Sequence, residues 1–118
     1  MNIAAEEEIS ENDVGIVALD VELKCLDASR YIDAFSDPGK RQKAREEYAE
    51  LVSDAVREAF AIERDDHRDA AICYIIDVSC QAKDFETADK LLAKIAIEGN
   101  RQKAAQAISK MRVQELDE

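Results

Sequence analysis

One phrase occurs twice in this chain and constrains it more than any other feature. Residues Gly39-Lys40-Arg41-Gln42-Lys43-Ala44 return almost unchanged as Gly99-Asn100-Arg101-Gln102-Lys103-Ala104. Upstream of each copy stands an aromatic followed three residues later by alanine, Tyr31 with Ala34 and Phe85 with Ala88. A phrase that opens helices at two equivalent places implies a helical repeat, in which stacked helices build a surface rather than an active-site cleft. The 118 residues suit one domain, and three Gly and one Pro are too few to supply the turns of an all-β chain.

Apolar spacing predicts five helices in antiparallel succession. The domain is expected over residues 13–115, between a disordered acidic leader at 1–12 and an acidic tail at 116–118. The first helix is predicted from about Asp13 to Phe35. Val14, Val17, Val21, Cys25, Ala28, Ile32 and Phe35 keep helical spacing, and Ile16, Leu19, Leu23 and Leu26 lie on an adjoining stripe. Residues 19–25 also alternate as a strand would, but the helical pattern continues past any ordinary strand length.

Asp37-Pro38 punctuates the chain as an N-cap and first helical residue. The second helix follows to about Ile62, with Ala44, Tyr48, Leu51, Val52, Ala55, Ala59 and Ile62 as its stripe, widened by Ala49, Val56 and Phe60. Asp65 or Asp66 is expected to cap a third helix reaching about Ala82, and Asp84 a fourth carrying Phe85, Ala88, Leu91, Leu92, Ile95 and Ala96 on one face. Gly99 reads as a stop and Asn100 as the next cap. A fifth helix, Arg101 to Gln114, has the thin stripe Ala104, Ala107, Ile108 and Met111 that suits the end of a stack.

Helices three to five are thus expected to start near 67, 85 and 101, so two helices occupy about 34 residues, the period of a helix–turn–helix repeat. Lys83-Asp84-Phe85-Glu86-Thr87-Ala88, followed by Leu91-Leu92 and Ile95, resembles the second helix of a tetratricopeptide repeat, and Ser29-Arg30-Tyr31-Ile32-Asp33-Ala34 echoes it. Ile76, Ser79 and Asn100 replace the small residue, tyrosine and proline usual in that family, so the resemblance is to a degenerate, tetratricopeptide-like repeat. It implies an all-α stack that recognises protein or peptide segments. An irregular five-helix bundle fits the same pattern.

The formal net charge is −11, and residues 1–37 hold ten acids against two bases. Such a chain repels nucleic-acid phosphates and anionic lipid, and attracts a basic partner. No apolar run spans a bilayer and no basic-then-apolar signal opens the chain. Three cysteines without close pairing suit a reducing compartment. The expected location is the cytoplasm.

Three features carry candidate chemistry. His67 lies between Asp66 and Asp69, a set that admits a metal or general-base reading, although acids at a helix start are ordinary capping. On a helical wheel Asp66, Asp69, Cys73, Asp77, Cys80 and Asp84 share one sector, either an interaction surface or a stripe covered by another helix, with the first as the candidate. Arg41, Lys43, Arg101 and Lys103 form two basic triplets with Gln42 and Gln102. They oppose the helix dipole and read as an acidic-peptide or phosphate site, or as solvated charges. No phosphate loop, CxxC, HExxH or GxSxG motif is present. The expected function is therefore a non-catalytic, cofactor-free protein-interaction module. A basic protein or peptide, or a second copy, is the partner. A small metal-binding protein or enzyme using Asp66, His67 and Asp69, and a secreted effector or effector chaperone, are the alternatives.

Overall fold

The computed structural model describes residues 3–117, with side chains over 17–114. Its helices are α1 (Ile3–Ile32), α2 (Arg41–Phe60), α3 (Asp65–Gln81), α4 (Phe85–Leu92) and α5 (Glu98–Asp117), with a 3-10 turn at Asp33–Ser36 closing α1. Among the described residues there is no strand, and the ambiguous segment 14–26 is helical throughout. The side chains of the expected leader (1–12) and tail (116–118) lie outside the described residues.

Among the described residues, each helix touches only its next or next-but-one neighbour in the chain. α1 packs on α2 and α3, α2 on α3, α3 on α4 and α5, and α4 on α5. The Cα trace is 15 Å deep along its shortest axis, the depth of two helix layers whose axes lie about 10 Å apart. α3 is the hub. Ala71, Ile72, Ile75, Ile76, Val78, Ser79 and Cys80 are all buried there, so this helix is enclosed on most of its circumference. Around it gather Val21, Cys25 and Ala28 of α1, Tyr48, Val52, Ala55 and Ala59 of α2, Ala88 and Leu91 of α4, and Ala104 and Ile108 of α5.

Two apolar stripes are narrower than the sequence suggests. On α2, Ala49 and Phe60 face solvent, because only α1, the 3-10 turn after it and part of α3 cover that helix among the described residues. On α1, Leu19, Leu23 and Leu26 do not join the core: they are 53%, 53% and 54% exposed. At about 100° per residue they lie across the helix from Val21 and Cys25.

The helix ends also differ from expectation in instructive ways. Regular α2 starts at Arg41, yet Asp37 still organises the turn: its carboxylate accepts from the Gly39 amide at 2.9 Å and its carbonyl from the Arg41 amide at 2.8 Å. Arg64, rather than Asp65 or Asp66, occupies the N-cap of α3. Asp84 does cap α4, accepting from the Thr87 amide at 3.3 Å. Gly99 and Asn100 are not a stop and a cap, because α5 already begins at Glu98. The left-handed stop residue is Lys83, with φ of 61°. Its amide reaches the Cys80 carbonyl at 3.0 Å and the Asp84 amide the Ser79 carbonyl at 2.8 Å, the paired bonds of a Schellman motif.

Candidate interaction groove

The repeated phrase has a repeated structural job. Arg41 Nε donates to the Phe35 carbonyl at 2.7 Å, and Arg101 Nε to the Ile95 carbonyl at 3.3 Å, each six residues upstream. Arg68, near the start of α3, makes the same reach to the Ile62 carbonyl at 3.2 Å. Each guanidinium thus ties a helix start to a carbonyl in the turn or connection just before it, where regular helical bonding has ended. Ala44 and Ala104, three residues on, are buried. Arg41 and Arg101 are consequently engaged in local structure, whereas Lys43 and Lys103, the lysine shared by both copies, line grooves.

Lys43 borders a groove of about 500 Å³ between the end of α1 and the start of α2, with Tyr31, Ala34, Gly39 and Glu47. Lys103 borders one of about 470 Å³ between α3 and α5. The α3 wall of that second groove presents Cys73, Tyr74, Ile76, Asp77 and Cys80, and the α5 wall Ala104, Ala107 and Met111 beside Lys103. The result is an apolar trough with one acid and one base at its walls.

The acidic stripe of α3 is therefore divided by what packs over it. Asp66 remains exposed, bound by the Arg64 guanidinium at 2.9 Å and the His67 amide at 2.9 Å. The Arg64 hydrogen bond is the main force holding its carboxyl below the usual range. Asp69, expected on the interaction surface, is fully buried. It accepts from the Ala96 amide at 2.8 Å, the Ile97 amide at 2.9 Å and Asn100 Nδ2 at 3.1 Å. Burial works to raise its pKa, but the two amides, Asn100 and the Arg68 charge outweigh it and hold the carboxyl below its ordinary value. Asp69 is the internal cap that fixes the α4–α5 connection, which is why Asn100 faces it from inside α5.

Cys73, Asp77 and Cys80 do line one groove, and α5, not α1, forms its opposite wall. Cys80 is buried and Cys73 half-buried. Burial first, then the nearby Asp69 charge for Cys73 and the Asp77 charge for Cys80, push both thiols up. Thiols held protonated are poor nucleophiles and poor metal ligands. Cys25, on α1, is buried and its thiol is pushed up to about 12 by burial, with Asp77 and Glu22 adding to the effect.

Asp66, His67 and Asp69 do not converge. Among the described residues no three His, Cys, Asp or Glu side chains form a cluster able to hold a metal, and both oxygens of Asp69 are already occupied. Tyr74 was not among the sequence candidates. It is 43% exposed and lines both the α3–α5 groove and a smaller α1–α3 groove. Its signal was available: an aromatic residue between Cys73 of the polar sector and the apolar pair Ile75-Ile76.

Comparison with protein-family models, with curated proteins and with solved structures returns no match, so the site is read from its own geometry.

Proposed function

We propose that this chain is a protein-interaction module without catalytic activity, a short tetratricopeptide-like stack that works in the cytoplasm. The α3–α5 groove takes a segment of a protein or peptide partner. The carrying observation is the groove itself: apolar side chains from two helices, with Asp77 and Lys103 placed to orient a bound segment. Helix contacts confined to near neighbours in the chain support the repeat reading. The net charge of −11 favours a basic partner and speeds its encounter.

Ala107→Arg tests this reading, because Ala107 is exposed and lines the groove. Immobilised wild type should retain a stoichiometric partner at moderate salt, and the variant should lose it with its melting temperature unchanged. Equal capture by both proteins, or capture by neither, would reject the groove as the binding site.

A further inference from the structure

Helix α1 is apolar on two opposite faces, and the fold covers one of them. Val21, Cys25 and Ala28 enter the core, with Val17 and Ile32 packed against it. Leu19, Leu23 and Leu26 point away and are each more than half exposed. Their spacing of four and three residues is that of successive d, a and d positions of a heptad. Along the backbone of the 30-residue helix the same register falls on Ile9, Asn12 and Ile16. The seam from residue 9 to residue 26 is thus roughly 25 Å long. Single exposed leucines are ordinary, but a heptad row of them on one helix is the pattern of a helix that pairs.

The flanks of the seam identify what covers it. In this register the e positions are Asp13, Asp20 and Asp27, and the charged g positions are Glu8 and Glu22. Asp20 contacts Lys24 at 2.6 Å, Lys24 also reaches Glu58 at 2.8 Å, and Asp27 lies 3.4 Å from Arg30. Even with these bases counted, residues 1–37 hold ten acids against two bases. Two copies of α1 would place acid against acid at the e and g contacts, in either orientation. A helix with lysine or arginine at those positions turns each repulsion into attraction. We infer that the exposed heptad face of α1 docks a helix of a partner protein that is apolar at a and d and basic at e and g. This surface is separate from the α3–α5 groove and goes beyond the function proposed for it.

The probe is a synthetic helix with leucine at a and d and lysine at e and g, compared with a counterpart carrying glutamate at e and g. Fluorescence anisotropy with the full chain at physiological salt should show binding of the lysine helix and at least about tenfold weaker binding of the glutamate helix. The triple variant Leu19→Ser/Leu23→Ser/Leu26→Ser keeps every charge. It should bind the lysine helix at least about tenfold more weakly, with its melting temperature unchanged, and Leu23→Ser alone should show a smaller loss. Equal binding by wild type and triple variant would reduce the attraction to nonspecific charge and overturn the inference, as would no binding at all. Sedimentation at neutral pH should show a monomer. A dimer dissolved by the triple variant would seat a second copy on the seam and overturn it too. If the lysine helix fails while Ala107→Arg still abolishes partner capture, the groove reading stands and the α1 inference alone falls.

Discussion

Asp69 shows how one side chain decides the shape of a distant connection. A buried carboxylate is tolerated when donors surround it, and the Ala96 and Ile97 amides of the α4–α5 connection and Asn100 in the first turn of α5 meet that requirement from 27 to 31 residues further along. Asp69→Ala leaves those two amides without their acceptor, and should destabilise the protein by about 2–4 kcal/mol. Asp69→Asn, which keeps one acceptor oxygen, should fall between the variant and wild type. Urea unfolding checks both; a loss under about 1 kcal/mol for Asp69→Ala would mean that water replaces the cap at little cost. The sequence displayed the aspartate but not its role. A helical wheel places Asp69 beside Asp66 and Cys73, and nothing local to residue 69 reveals that residues 96 and 97 return to cover it.

At the scale of elements, helices were legible wherever one apolar stripe faced one covered side. Ala44, Tyr48, Val52, Ala55 and Ala59 on α2 and Ala71, Ile72, Ile75 and Val78 on α3 are buried as their spacing implies. Legibility failed at ends and on faces set by later packing. Leu19, Leu23 and Leu26 look like core residues by type, and only the placement of α2 and α3 against the other side of α1 leaves them exposed. Half of the groove was similarly visible: Cys73, Asp77 and Cys80 share a sector of α3, while the opposing wall of Ala107, Met111 and Lys103 depends on how α5 returns.

The end of α3 was hidden for a different reason. Glycine is the usual sign of a left-handed stop, and here the residue is Lys83, with φ of 61°. A residue with a Cβ carries about 1 kcal/mol of backbone strain in that conformation. Lys83→Gly should therefore stabilise the protein by about 0.5–1 kcal/mol. A raised urea midpoint with an unchanged slope is the expected result. A lowered midpoint would show that the lysine side chain contributes more than the strain removes.

The whole molecule joins these pieces into a helical assembly whose contacts stay local in the chain, and its ionisable groups bound the pH range in which that assembly holds. On the acid side, Asp20, Asp66 and Asp69 all have depressed pKa values. Their stabilisation is complete above the ordinary carboxylate value and is lost as pH falls through the folded values. On the alkaline side the shifts have the opposite sense. Burial pushes the Cys25 thiol from 9.0 to about 12 and the Tyr48 phenol from 10.0 to about 12, against the opposing pull of the nearby Ser79 hydroxyl on Tyr48. Between the unfolded and folded values the folded chain keeps protons that the unfolded chain releases, so stability falls as pH rises. Urea midpoints should thus be level from about pH 5 to 8 and decline above about pH 9. Cys25→Ala should lower the plateau by leaving a small cavity, yet flatten the decline between pH 9 and 11, because one of the retained protons is gone. If the variant and wild type decline in parallel, ionisation of Cys25 is not coupled to unfolding, and the alkaline limit belongs to Tyr48, to the raised Cys73 and Cys80 thiols and to the Lys24–carboxylate contacts of α1.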